Sequence, residues 1–102
     1  MIAIGWTTLA NETDALNLAQ ALVEKRWVIC AQISGPIQSI YRWKDGIERS
    51  TEYRLTLKFM VDRLQSLESK LQSMHPYEIP QWIWCPAGGV SDSYLEWAQS
   101  VS

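Results

Sequence analysis

Residues 52–60, EYRLTLKFM, decide the fold of this 102-residue chain, because polar and apolar residues alternate from Glu52 to Phe59. A period of two is typical of a β-strand that buries one face. The apolar face is predicted to carry Tyr53, Leu55, Leu57 and Phe59, and the polar face Glu52, Arg54, Thr56 and Lys58. The strand therefore predicts a sheet with one face on a core and one face open to solvent or to another subunit.

Upstream of this strand, the sequence predicts a long hairpin. A β-branched run, WVICAQIS at residues 27–34, is interrupted by a Gly-Pro pair and resumes as IQSIYRW at residues 37–43. Asp45-Gly46 follows and is a strong signal for a hairpin turn. Arms of about ten residues or more are long for a small domain and need a further surface to lie on. The hairpin therefore predicts an oligomer.

Two helices are predicted, one before the hairpin in the sequence and one after it. The N-terminal run MIAIGWTTL is rich in strand formers, and residues 11–14, NETD, supply N-cap candidates for a first helix. The apolar stripe of that helix consists of Ala15, Leu18, Ala19, Leu22 and Val23. Residues 62–65 resemble a capping box that opens a second helix. The apolar stripe of the second helix consists of Leu64, Leu67, Leu71 and Met74.

The second helix is predicted to end at the only histidine of the chain, His75. His75 precedes Pro76, and a residue before proline is pushed toward an extended conformation. Pro80 lacks a backbone N–H and suits the start of a strand, so residues 75–80, HPYEIP, predict a stiff connection to the strand QWIWCP at residues 81–86. Two roles for the histidine stay open: it caps the helix and fixes the turn, or it serves chemistry as well.

The predicted order is β-α-β-β-α-β, followed by a last amphipathic helix that Ser91 or Asp92 would cap. This is the order of ferredoxin-like α+β folds, in which two helices cover one face of an antiparallel sheet. The strand order 4-1-3-2 would leave strands two and four as edges, and strand pairing between subunits is one way to cover them. No repeat or linker interrupts the pattern, so residues 1–102 are interpreted as a single domain.

Composition excludes several classes of partner. Nine Lys and Arg against 11 Asp and Glu leave a net charge of −2, which is the wrong sign for a nucleic acid or an anionic membrane. No apolar run approaches the ~20 residues of a membrane helix, and no signal peptide is recognisable, so a cytoplasmic location is expected. Cys30 and Cys85 are too few for a disulfide framework and are expected as thiols. Six tryptophans exceed what a small core encloses, so some are expected at an interface.

Four sequence blocks are together typical of one family. They are LVEKRWVICAQI at 22–33, SIYRWKDGIE at 39–48, HPYEIPQ at 75–81 and YLEWAQ at 94–99. In order and spacing the chain resembles the CutA1 proteins, the divalent-cation tolerance family, over nearly its whole length. The resemblance implies a ferredoxin-like subunit in a compact trimer, similar in architecture to PII signalling proteins, with links to copper and other divalent cations. Cys30 and His75 fall on the family's cysteine and histidine positions, whereas Gln81 stands where a glutamate is common.

The first functional hypothesis is a trimeric, cytoplasmic protein that binds metal ions and contributes to metal tolerance. Cys30 and His75 are its candidate metal ligands, because thiolate and imidazole together suit copper or zinc better than magnesium or calcium. No CxxC, HxH or HExxH spacing occurs, so one histidine builds a dedicated site only with help from other chains. Copper or zinc is not expected to be required for folding.

The second hypothesis is a PII-like regulatory module that binds a small molecule or a protein partner at clefts between subunits. Its candidate cleft residues are Tyr41, Trp43, Lys44, Tyr77, Glu78 and Trp97. Lys44 would hold an anionic group on such a ligand. The alternative role of these residues is packing at the subunit interface and stapling of the hairpin.

An enzyme is the third and least favoured hypothesis. His75 and Glu78 are close enough in sequence to act as a base and its orienting residue, but no nucleophile elbow, phosphate loop or metal-hydrolase motif accompanies them. An RNA-recognition module shares the element order, but residues 52–60 lack its Gly/aromatic pattern and the charge is wrong. We therefore expect neither catalysis nor nucleic-acid binding.

Overall fold

The computed structural model describes all 102 residues and confirms the predicted order of elements. The strands are β1 (Ile2–Leu9), β2 (Cys30–Trp43), β3 (Gly46–Met60) and β4 (Ile83–Pro86). The helices are α1 (Glu12–Glu24), α2 (Leu64–Met74) and α3 (Asp92–Val101), with a 3₁₀ turn at Val61–Arg63. The strands form one antiparallel sheet in the order β2-β3-β1-β4, so β2 and β4 are its edges. The ferredoxin-like α+β prediction is confirmed, including the strand order.

The main core lies between one face of the sheet and the helices α1 and α2. On β3, Leu55, Leu57 and Phe59 are completely buried, as the alternation predicted. They pack with buried residues of β1, α1 and α2 and of the segment after α1, which are Ala3, Leu9, Ala15, Leu18, Ala19, Leu22, Val28, Leu67 and Leu71. The first helix starts as predicted, because the side chain of Asn11 accepts a hydrogen bond from the backbone N–H of Asp14 at 2.8 Å.

The second face of the sheet is covered at one end by α3. Ala98 of this helix is fully buried in a small cluster with Ile2 and Ile29. Ile2 is paired with Met60 and therefore points away from the main core, since its neighbour Ala3 points into it. The sequence predicted that this whole face would be open, whereas the apolar side of α3 closes its end near the N-terminus of β1.

The hairpin of β2 and β3 is the most extended part of the molecule. Its ladder runs from Cys30 opposite Lys58 to Trp43 opposite Gly46, with a register shift between Ser34 and Ile37. The chain measures 46 × 25 × 23 Å and has a radius of gyration of 14.4 Å. About 13 Å is expected for a compact domain of 100 residues, so the hairpin makes the subunit elongated.

Two local predictions are wrong. The hairpin turn was expected at Asp45-Gly46, but it consists of Lys44 and Asp45, because Gly46 already pairs with Trp43. Lys44 has the positive φ, 53°, that such a turn requires. The capping box at residues 62–65 does not form, because a 3₁₀ turn runs directly into α2, and the N-cap Arg63 makes no side-chain hydrogen bond.

Candidate functional site

A cleft of about 730 Å³ lies between the hairpin and the connection from α2 to β4. We call it the arm cleft. Its 13 lining residues come from β2 and β3, from the end of β1 and from residues 77–81; they are Thr8, Ala10, Ser39, Ile40, Tyr41, Trp43, Ser50, Thr51, Glu52, Tyr77, Glu78, Ile79 and Gln81. The structure thus brings together four of the six predicted cleft residues, Tyr41, Trp43, Tyr77 and Glu78.

The other two predicted cleft residues lie elsewhere. Lys44 is in the hairpin turn and does not line the arm cleft. Trp97 is on α3, where its ring lies 5.4 Å from that of Tyr94. Neither residue therefore lines the arm cleft of a single chain, and their place in a cleft between subunits stays a prediction.

Glu52 is the residue of this site that the sequence placed wrongly. The alternation of β3 assigned it to the polar, open face, but it is only 8% exposed. The phenol of Tyr77 covers it and donates a hydrogen bond to Glu52 Oε2 at 2.8 Å. Glu52 also lines the arm cleft, and its other oxygen, Oε1, accepts no hydrogen bond from the chain.

Tyr77 is held as a hydrogen-bond donor at this site. Burial first, and then the hydrogen bond and the charge of Glu52, raise the pKa of Tyr77 well above its usual value of 10.0. The phenol therefore stays protonated across the physiological range and keeps one oxygen of Glu52 occupied.

His75 is buried at the end of α2 and uses both ring nitrogens within the chain. The backbone N–H of Tyr77 donates to Nδ1 at 3.1 Å, so Nδ1 is unprotonated. Nε2 consequently carries the proton and donates to the Thr8 carbonyl at 2.9 Å, with the Thr7 hydroxyl at 3.1 Å. Burial lowers the pKa of His75 from 6.5, although the Thr8 carbonyl and the charge of Glu52 oppose this. His75 is thus a neutral imidazole that joins the end of α2 to the end of β1.

Cys30 lies at the opposite end of the sheet. The strand register places Cys30, Lys58, Ile4 and Cys85 in one row across the four strands. Residues paired in this way share one face of a sheet, so both thiols lie on the face that α3 partly covers. Cys30 is half-buried and close to Tyr94. The pKa of Tyr94 is raised, first by the burial of its phenol and then by electrostatic interaction with Cys30.

One chain does not bring Cys30 and His75 together. The Cys30 row crosses β1 at Ile4, whereas His75 bonds to Thr8, four residues further along the strand. Four residues of strand span about 13 Å, well beyond the reach of one metal ion. No group of three or more His, Cys, Asp or Glu side chains in the chain is arranged to hold a metal. A site that used both residues would need ligands from different subunits.

None of the helices has the length and the apolar character that crossing a membrane requires.

Comparison with known proteins identifies relatives along almost the whole chain. The family model described as CutA1 divalent ion tolerance protein matches residues 3–101. The divalent-cation tolerance protein CutA of Thermus thermophilus is 31% identical over 90 residues, which are 88% of this chain and 87% of that protein. The solved structure of CutA from Synechococcus elongatus superimposes with a TM-score of 0.94 at 38% identity, covering 98% of this chain and 88% of that one.

Some relatives are longer than this chain. Human protein CutA is 33% identical over 101 residues, which are 99% of this chain but 56% of the human protein. The chain likewise spans 66% of the length of the CutA homolog of Xenopus laevis. Because the family model covers nearly all residues and relatives above 30% identity align along them, the chain belongs to the CutA1 divalent ion tolerance family.

Proposed function

We propose that the protein contributes to tolerance of divalent metal ions as a cytoplasmic homotrimer that binds copper or zinc, and that it is not an enzyme. The match to the CutA1 divalent ion tolerance family over residues 3–101 carries this proposal. The names of its relatives describe tolerance of divalent cations. In this proposal the protein sequesters or senses a metal ion and catalyses no reaction.

The hairpin supports the trimer. Ile40 and Ile47 on its two strands are 64% and 63% exposed, and Trp43 at its tip is 39% exposed. Exposure of apolar side chains to water is unfavourable, and the free energy falls when a neighbouring subunit covers them. The two edge strands, β2 and β4, offer backbone groups for the same contact.

Cys30 and His75 are the proposed metal ligands, in unequal roles. Cys30 is half-buried and forms no disulfide, so its sulfur is available as a soft ligand for copper(I) or zinc. A metal reaches His75 only by displacing the N–H of Tyr77 from Nδ1 or the proton from Nε2. We therefore propose that Cys30 provides most of the affinity, and that His75 adds to it only when the 75–81 connection opens.

Native mass spectrometry of untagged protein purified without chelator tests the assembly and the metal together. We expect a mass three times that of the 11.7 kDa chain and retained copper or zinc. Trp43→Ala should weaken the assembly, by about 3–5 kcal/mol if the indole is fully covered. A monomer at micromolar concentration contradicts the trimer.

Growth of a host in graded copper(II), with and without the chain, tests the tolerance itself. We expect the chain to raise the concentration that halves growth, and Cys30→Ser to reduce that gain more than the matched control Cys85→Ser. Equal growth with and without the chain contradicts the proposed function.

The arm cleft favours a second candidate function, a regulatory module that binds a small molecule. Its volume of about 730 Å³ is that of a ligand site, and aromatic side chains and polar groups converge on it. Titration with small ligands distinguishes this function from metal tolerance.

A further inference from the structure

We propose that the connection from α2 to β4, residues 76–82, is a latch over His75, and that the hydrogen bond between Tyr77 and Glu52 holds it shut. Opening of the latch then sets how readily a reagent or a metal ion reaches the imidazole. The inference rests on the proposed function in one respect only, namely that the ligand admitted is a metal ion. The latch itself is a property of the fold and can be measured without any metal.

Residues 76–82 are weakly tied to the rest of the chain. None of them forms a backbone–backbone hydrogen bond, since the helix before them ends at Met74 and the strand after them begins at Ile83. Segments without such bonds open locally at a lower free-energy cost than the sheet and the helices around them. A small number of side-chain contacts therefore keeps this connection closed.

Tyr77 joins the connection to the sheet. Its phenol donates to Glu52 Oε2 on β3 at 2.8 Å, and Glu52 is 8% exposed. A second bond, from Trp82 Nε1 to Glu68 Oε2 on α2, lies at the far end of the connection, next to β4. A hydrogen bond to a carboxylate is stronger than one between neutral groups. The bond between Tyr77 and Glu52 is therefore the main tie at the end of the connection that adjoins His75.

Tyr77 also covers the imidazole. The centroid of its ring lies 4.8 Å from that of His75, edge to face, and its backbone N–H donates to His75 Nδ1 at 3.1 Å. The lone pair of Nδ1 is the one that an incoming group can use, because Nε2 donates to the Thr8 carbonyl. An electrophile or a metal ion therefore reaches this nitrogen only after Tyr77 has moved.

Two prolines limit what the connection gains by opening. Pro76 and Pro80 have fixed φ angles, so the open segment recovers less conformational entropy than a flexible loop would. A few contacts are then enough to keep it closed, and removal of one contact should shift the balance measurably. All of these contacts lie within one chain and depend on burial, so a neighbouring subunit that covers the hairpin leaves them in place.

Carbethoxylation by diethyl pyrocarbonate at pH 7.5 measures the opening, because the reagent acylates an unprotonated imidazole nitrogen and His75 is the only histidine. The folded chain holds this imidazole neutral at that pH, so the rate reports access. We expect a rate far below that of free N-acetylhistidine and almost unchanged by low concentrations of urea, because a local opening exposes little surface. A rate that rises with urea as steeply as global unfolding overturns the latch.

Two variants remove the latch bond from opposite ends. Tyr77→Phe and Glu52→Leu should each raise the carbethoxylation rate at least about tenfold, as expected for loss of a hydrogen bond to a charged group. The double variant should be no faster than the faster single variant, since both changes break the same bond. Glu52→Gln retains an acceptor for the phenol and should raise the rate less than Glu52→Leu. Tyr94→Phe on α3, at the opposite end of the sheet, is the matched control and should change nothing.

Zinc titration of the same proteins distinguishes the latch from the metal that it admits. Tyr77→Phe should bind zinc more tightly than the unaltered chain, and adding His75→Gln should abolish that gain. Circular dichroism and light scattering verify the fold and assembly of each variant. Carbethoxylation rates in Tyr77→Phe and Glu52→Leu equal to that of the unaltered chain overturn the proposal. Faster carbethoxylation without tighter zinc binding supports the latch and overturns His75 as a metal ligand of the proposed function.

Discussion

Acidification below pH 6.5 is expected to destabilise the protein through His75. In the folded chain its Nδ1 accepts from the N–H of Tyr77, and its Nε2 donates to the Thr8 carbonyl. A second proton would have to go on Nδ1, where it would face the Tyr77 N–H. Burial adds a further cost, since His75 is only 8% exposed, and its pKa is lowered from 6.5.

The sign and size follow from proton linkage. Below pH 6.5 the unfolded chain binds a proton at His75 that the folded chain resists, so the free energy of unfolding falls as the pH falls. The slope of this loss is at most about 1.4 kcal/mol per chain for each pH unit, and the loss levels off below the lowered pKa of the folded state. Well above pH 6.5 both states are neutral at this residue, and its contribution is fully present.

Denaturant unfolding at fixed protein concentration between pH 5 and 7.5 measures this effect. His75→Gln is the matched control, because its amide can donate to Thr8 and accept from Tyr77 but does not titrate. We expect the variant to be less stable at pH 7.5 by about 1–2 kcal/mol and to lose less stability between pH 6.5 and 5.5. The carboxylates titrate in both proteins, so the difference between the two curves isolates the histidine. If stability depended on pH equally in both proteins, His75 would not be a neutral imidazole with both ring nitrogens hydrogen-bonded.

Two further predictions concern the sheet. Gly5→Ala should destabilise the protein by about 1–3 kcal/mol in denaturant unfolding, because the added Cβ would lie 2.6 Å from Cζ3 of Trp82. Gly88→Ala is the control: no atom lies within 4 Å of its added Cβ, so we expect no such loss of stability. No disulfide should link Cys30 to Cys85 within one chain, since three strand spacings of about 4.8 Å separate them; peptide mapping without reduction would show such a crosslink if the register were different.

Local patterns predicted the parts of the fold that depend on local burial. The alternation along β3 placed Leu55, Leu57 and Phe59 in the core, and the element order gave the topology. The same alternation failed at Glu52, because a period of two assigns a residue to a face of the sheet but does not say what covers that face. Tyr77, 25 residues away in the chain, covers Glu52.

The arm cleft was predictable in part for a similar reason. Tyr41 and Trp43 lie on the hairpin, and Tyr77 and Glu78 on the stiff connection, and the sequence indicated all four as candidates for a cleft between subunits. That the two segments face one another is set by tertiary packing. Lys44 lies in the hairpin turn, which begins one residue earlier than the Asp-Gly signal indicated, and so it is outside the arm cleft.

The register shift between Ser34 and Ile37 bears on how well the β2 edge could serve as a template for fibrils. An edge strand as long as β2, with 14 residues, is a template on which stray chains can stack as cross-β layers. A bulge increases the local twist and interrupts the straight run of backbone donors and acceptors. A chain adding to this edge could follow residues 30–34 or residues 37–43, but not both in one flat ladder. The register shift therefore shortens the flat stretch of edge on which another chain could extend a cross-β layer.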